Sequence, residues 1–245
     1  MNVQTQADRE SVGRKGAEIF STLATRGAAE RGYFRVALSG GQSPVPIYQA
    51  LAKNPASLDW GRTQVFFSDE RFVAPDSSRS NSNSATQNLL SKVPILPRAV
   101  HRMATMDITP DESAGLYEQG IWRVFEIAPG QLPHFDLIML GLGADGHTAS
   151  LFPDTAALED TDALVAANYV PELNSWRITF TYPTINAARV VMFVVTGHDK
   201  APVVAKVIGG DQALPAARIR PDGELIWLLD EAAASQLPKN PGAST

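Results

Sequence analysis

Cysteine is absent from the 245 residues, which removes disulfides, thiolate metal sites and cysteine nucleophiles together. Long apolar runs are missing as well, and no stretch approaches the ~18 continuous apolar residues of a membrane helix. The opening MNVQTQADRESVGRK lacks the apolar centre of a signal peptide, so a cytoplasmic location is expected. Positive charge is in deficit: 21 Lys and Arg face 26 Asp and Glu, a net charge of -5. That balance gives no electrostatic reason to expect nucleic acid or an anionic membrane as a partner. An anionic ligand would have to be held by local cations and backbone amides. Charged residues make up only 19% and apolar residues 44%, which fits a soluble globular chain with ample core and excludes a disordered one.

What is present is alternation. Spaced apolar positions over 8–26 (Val12, Ile19, Phe20, Leu23) predict an amphipathic helix. FRVALS (34–39) predicts a strand, then a Gly-Gly turn and a helix through VPIYQALAK; TQVFFS (63–68) predicts a second strand ending at Asp69-Glu70-Arg71. Helices are expected at SNSATQNLLSK, at 111–127 and after Lys200, and strands at FDLIML, VAANYV, WRITFTY, RVVMFVV and LIWLL. FDLIML has no polar alternation beyond Asp136, as expected of a central parallel strand covered on both faces. The pattern predicts a Rossmann-like three-layer α/β/α fold with a mostly parallel sheet. Internal repeats and linkers rich enough to divide the chain are lacking, so one domain over 1–245 is expected, with a frayed tail at about 236–245.

Three turns fall at predicted strand carboxyl ends, where ligands bind in open α/β sheets. Ser39-Gly40-Gly41-Gln42-Ser43-Pro44 has the makings of an amide-lined anion site at a helix N-terminus, or of a tight turn that needs glycine for its dihedrals alone. A P-loop is excluded because no Lys follows the glycines. Asp69-Glu70-Arg71 reads either as a solvated charged turn or as a ligand cluster. GLGADGHTASLFP (141–153) satisfies G-x-G-x-x-G, yet Pro153 arrives only seven residues after Gly146, and Asp160 and Asp162 precede the next strand where a dinucleotide turn needs an acid ending it. That context argues against a dehydrogenase. His147, two residues after Asp145, is better placed for chemistry: imidazole can take a proton from water, and a nearby carboxylate can fix its tautomer. His101, His134 and His198 lack such a setting and read as structural or surface residues. Arg177 and Lys200, each taken alone, read as ordinary surface charge. Ser150 is outside a G-x-S-x-G elbow, which rejects a serine hydrolase.

In this order, LSGGQSPVPIY, FFSDERFV, RSNSNSA, LGLGADGHTASLFP, WRITFTYPTIN, GHDKA and LPAARIRPDGELIWLLDEAA resemble the 6-phosphogluconolactonases, a branch of the glucosamine-6-phosphate deaminase/lactonase superfamily. GADGHTASLFP is the most specific piece; the Ser-Gly-Gly turn is shared more widely. The resemblance implies hydrolysis of 6-phospho-D-glucono-1,5-lactone in the pentose phosphate pathway, with no metal and no cofactor. It makes His147 the general base that activates water, with Asp145 orienting it or balancing its charge. It makes Ser39, Gly40, Gly41, Gln42 and Ser43 part of the phosphate cradle, Arg71, Arg177 and Lys200 the cations about phosphate and ring oxygens, and Asp69 a secondary polar contact. Ser80-Asn81-Ser82 departs from the family's Ser-Asn-Tyr, which leaves Asn81 with little weight. The deaminase branch carries Glu at the fifth position after the motif histidine; here that position is Phe152, which cannot move a proton. The remaining alternative is a sugar-phosphate binder without turnover, disfavoured because Asp145 and His147 both stand. The expected partner is a small sugar-phosphate lactone, bound by a chain expected to be a monomer.

Overall fold

The computed structural model describes residues 1–238. Strand β1 (Asn2–Gln6) leads into α1 (Arg9–Arg31), and β2 (Phe34–Leu38) is followed by α2 (Val45–Lys53). Strands β3 (Thr63–Phe67) and β4 (Asp69–Arg71) precede the short α3 (Asn81–Ala85), which runs on as a π turn over Thr86–Leu90. Then come α4 (Pro110–Phe125), β5 (Leu137–Leu140), β6 (Val165–Val170) and β7 (Ser175–Phe180). The order closes with α5 (Tyr182–Asn186), β8 (Val190–Val195), α6 (Ala201–Ile208), β9 (Glu224–Asp230) and α7 (Glu231–Ala234).

Six strands form one wholly parallel sheet in the order β1-β9-β8-β5-β2-β3. Side chains alternate across a strand, and the buried runs supply two cores at once. Val190, Met192 and Val194 of β8 face a core shared with Phe20 of α1 and Ile47 of α2. Val191, Phe193 and Val195 face a core shared with Ile121 of α4 and Val204 of α6. Helices therefore cover both faces, as the apolar runs predict.

The second layer differs from the expectation. VAANYV and WRITFTY lie outside the parallel sheet: β6 and β7 join β4 in a separate antiparallel sheet, β4-β7-β6. Asp69-Glu70-Arg71 accordingly does not end β3 but forms β4, after a switch at Ser68 whose N–H is held by the carbonyl of Leu38. Apolar alternation marks a strand without naming its partner. β1 lacks any apolar run; it is a polar edge strand recruited by pairing with β9. α1 runs five residues beyond its predicted end, from an Asp8 cap that accepts the Ser11 N–H at 2.7 Å to Gly32 in the left-handed region. The WRITFTY strand stops at Phe180 because Tyr182-Pro183 starts α5. Of the expected frayed tail, Leu237 packs on the core, whereas 239–245 lie outside the described residues.

The small sheet is tied to the main core by Phe180, fully buried with its ring 5.2 Å from Phe135 and 6.2 Å from Tyr117. Phe180→Ala should lower unfolding stability by about 3–5 kcal/mol, read from urea denaturation; a loss under about 1 kcal/mol would show that the small sheet is not anchored there.

Candidate active site

Strand order sets where the site lies. β2 and β5 are neighbours, but the chain leaves β2 toward β3 on one side and later builds β5, β8 and β9 on the other. Connections diverge at such a switch point, and a crevice opens beyond the strand carboxyl ends. The loops after β2 and β5 meet there. The resulting cleft, about 400 Å³, is lined by Gly40–Ser43, by Gly141–Gly143 and His147, by Asp69, Arg71 and Asn81, and by Thr196 and Lys200 after β8. Arg9 from the start of α1 completes the rim.

The loop after β5 is a compact reversal. Gly143 donates its N–H to the His147 carbonyl at 2.9 Å, Gly146 donates to Gly143 O, and the Thr148 hydroxyl donates to Gly141 O at 2.9 Å. A Cβ on Gly143 would overlap the His147 imidazole, so glycine is required for close approach there. Gly146 turns at φ 81°, a conformation that favours glycine. These glycines bring a histidine back over the strand end; they do not open a long dinucleotide-binding helix.

His147 Nδ1 lies 2.6 Å from Asp145 Oδ1, which also accepts the His147 N–H at 3.1 Å. Burial opposes the Asp145 charge, but the hydrogen bonds and charge of His147 outweigh it and hold the carboxyl below its usual range. An ionised carboxylate only accepts, so Nδ1 carries a proton, and in the neutral ring Nε2 presents its lone pair. Nε2 has no hydrogen-bond partner among the described residues. The ring is stacked on Phe152, centroids 3.9 Å apart and planes 22° apart. Phe152 therefore buttresses the imidazole, a role its mere lack of an acid group does not disclose.

The other wall is a chain of hydrogen bonds in which neutral donors hold carboxylates. Ser150 Oγ donates to Asp69 Oδ2 at 2.8 Å, and Asn81 Nδ2 donates to Asp69 Oδ1 at 3.1 Å and to its carbonyl. A Cβ on Gly40 would overlap the Asn81 carboxamide. Asn81 thus joins β4 to the Gly-Gly turn and lines the cleft, a placement that the Ser80-Asn81-Ser82 motif did not disclose. Glu70, almost wholly buried, accepts the N–H groups of Arg71, Asn81 and Ser82 and the Ser80 hydroxyl, which fixes the start of α3. Ser82, where the family has Tyr, shares a 3.1 Å hydroxyl contact with Ser80 and does not line the cleft.

Two residues expected at the phosphate stand outside the cleft lining. Ser39 does not line the cleft; its carbonyl accepts the buried Tyr48 hydroxyl at 2.6 Å, behind the turn. Arg177 is not a lining residue either: it pairs with Arg71 across β7 and β4, and its Nε is buried without a hydrogen-bond partner among the described residues. Burial, then the neighbouring Arg71 charge, pushes the Arg177 guanidinium below its ordinary value. Arg71 donates from Nη1 to the Arg79 carbonyl and, like Lys200, makes no salt bridge among the described residues. Thr196, which no motif marks, meets Ser43 hydroxyl to hydroxyl at 3.4 Å, and the following Gly197 N–H is held by Asp230. No group of three or more metal-ligating His, Asp or Glu side chains occurs among the described residues, and none of their helices is long and apolar enough to cross a membrane.

Residues 7–227 match the family described as glucosamine-6-phosphate isomerases/6-phosphogluconolactonase. The chain belongs to this family. It is 41% identical over 238 residues to a 6-phosphogluconolactonase of Nostoc, covering 96% of this chain and 98% of that one. A Synechocystis 6-phosphogluconolactonase is 42% identical over 220 residues, covering 89% and 90%. The 6-phosphogluconolactonase structure from Trypanosoma brucei superposes with a TM-score of 0.83 at 27% identity, over 97% of this chain and 98% of that one. The family's α/β fold with a mostly parallel sheet is thus the fold of this chain.

Asp145 supplies a pH test of the pair. Its folded value lies below the ordinary 3.8, so what the contact adds to stability is present in full above the unfolded value and is lost as pH falls through the folded one. Carboxyl NMR titration should find Asp145 titrating higher in His147→Ala than in the wild type; identical titrations would break the assigned pairing.

Proposed function

We propose that this chain hydrolyses 6-phospho-D-glucono-1,5-lactone to 6-phospho-D-gluconate, the step of the pentose phosphate pathway named for its relatives. The observation that carries this reading is the oriented imidazole: His147 held by Asp145 at 2.6 Å beside a cleft lined by the cations Arg71 and Lys200. Amides of Gly40–Ser43 with Arg71 and Lys200 hold the phosphate, and Arg177 reinforces the positive field from the neighbouring strand. Fixed cations can do this in an acidic protein because the interaction is local and charge-assisted. Holding the phosphate positions the lactone carbonyl near His147. The chain acts as one domain in this reading, since both sheets feed one side's core.

The reaction needs one base. As water attacks C1, His147 Nε2 takes its proton, and Asp145 stabilises the imidazolium that forms. When the tetrahedral intermediate collapses, the ring C1–O5 bond breaks and the departing O5 takes the proton back from Nε2. The product's carboxylic acid then ionises in solution. A δ-lactone is already activated toward acyl transfer, so neither a covalent nucleophile nor a metal is called on. Asp69, both of whose oxygens are steadied by neutral donors, repels a phosphate and suits a sugar hydroxyl. Deamination needs a further acid beside the base; Phe152 stacked on His147 occupies its place.

Freshly prepared lactone should be hydrolysed faster than its spontaneous rate, and the lack of any excess rate would sink the proposal. His147→Ala should lower kcat by about 10²–10⁴-fold while still binding 6-phosphogluconate in calorimetry; near-normal turnover would remove His147 as the base. EDTA should leave the rate unchanged, whereas a loss restored by added metal would contradict the metal-free chemistry.

A further inference from the structure

We infer that Arg9 is a substrate-contact residue, a third cation for the substrate phosphate delivered from the N-terminal helix. The inference rests on the proposed phosphate cradle and extends it to a residue outside every strand-end loop.

Arg9 lines the same cleft as Gly40–Ser43, Arg71, Lys200 and His147. Its guanidinium Nη2 donates to the carbonyl of Gln42 at 2.5 Å. The contact has an electrostatic purpose. A turn that offers amides to an anion also carries carbonyls, and a bare carbonyl oxygen beside a phosphate repels it. Arg9 covers the negative end of the Gln42 carbonyl and puts a full positive charge in its place.

The side chain has capacity left over. A guanidinium has five N–H donors in a planar fork, and the Gln42 carbonyl takes one. Arg9 makes no salt bridge among the described residues, although Glu10 beside it is engaged, with Arg14. Helix geometry fixes its origin: the Asp8 cap sets the first turn of α1, and Arg9 leaves the helix at its first residue, toward the Gly-Gly turn. A phosphate monoester carries roughly -1.5 to -2 charges at neutral pH. Arg71 and Lys200 roughly balance that, and Arg9 makes the site decisively cationic despite Asp69 on its wall.

Two roles are separable. A residue that only steadies the Gln42 turn would leave its guanidinium nitrogen-15 resonances unmoved by added 6-phosphogluconate; one that touches the phosphate shifts them, and its loss weakens the phosphate-bearing ligand alone. Arg9 is exposed, so its replacement should leave folding intact, and an unchanged thermal midpoint verifies this. Calorimetry with 6-phosphogluconate and with gluconate, on wild type, Arg9→Ala and Arg9→Lys, reads the difference. Arg9→Ala should weaken 6-phosphogluconate about 10-fold or more and inorganic phosphate in the same direction, leave any gluconate binding unaltered, and raise KM more than it lowers kcat. Arg9→Lys should restore part of the loss. Unchanged 6-phosphogluconate binding, or equal weakening of both ligands, would overturn the assignment. Because binding is read directly, this result stands apart from turnover: a wild type that binds phosphate through Arg9 but hydrolyses no lactone would refute only the proposed activity.

Discussion

Six parallel strands place all their carboxyl ends on one edge, and the reversal of order between β2 and β5 opens that edge at a single point. Every part of the site is a consequence of this constraint. The loop after β2 supplies amides, the loop after β5 supplies the imidazole, and the end of β8 supplies Thr196 and Lys200. The antiparallel sheet closes the remaining side with Asp69 and Arg71. None of these residues needs to be near another in the chain, because strand pairing has already fixed the positions of their roots.

Within that frame, rigidity is distributed by polarity. His147 is gripped from three directions: by Asp145 at Nδ1, by Phe152 on its face, and by its own carbonyl through Gly143. The carboxylate of Asp69 is instead held by the hydroxyl of Ser150 and the amide of Asn81, which leave its charge uncompensated and available to the cleft. Ser150 therefore links the histidine loop to the acid on β4, and Asn81 links that acid to the Gly40 turn. The serine excluded as a nucleophile has a structural task in the same site. Around this scaffold lie Arg71 and Lys200, which make no salt bridge among the described residues, the arrangement suited to an anion from outside.

How much of this was legible follows from the range of each interaction. FDLIML and RVVMFVV announced buried parallel strands because both faces must be apolar, and with them the positions of the GLGADGH and GHDK loops. His147 and Asp145 were legible as neighbours because they are two residues apart, but their side-chain contact was not, since the carboxylate could equally have turned to a backbone amide. The three-stranded sheet was not, since the alternation in WRITFTY is the same whichever strand lies beside it. β1 was hidden by its polarity, having only one neighbour to satisfy. Arg9 and Thr196 carry no local signal: each reaches the cleft through contacts with residues far along the chain, and only packing reveals them. Asn81 had a motif signal, weakened by Ser82 beside it, and its contacts with Asp69 and Gly40 emerge only in the fold. Arg177, carried to the site by a motif, stands directly across from Arg71 in the register of β4 and β7 and outside the cleft lining.

Base catalysis by His147 depends on which nitrogen of its ring carries the proton. Nitrogen-15 NMR of the imidazole at neutral pH, in the free protein and with 6-phosphogluconate bound, measures this directly. A protonated Nδ1 coupled to Asp145, with Nε2 unprotonated in the free protein, is the predicted result. A neutral ring with its proton on Nε2 would leave no lone pair facing the cleft and would contradict the assignment of His147 as the base.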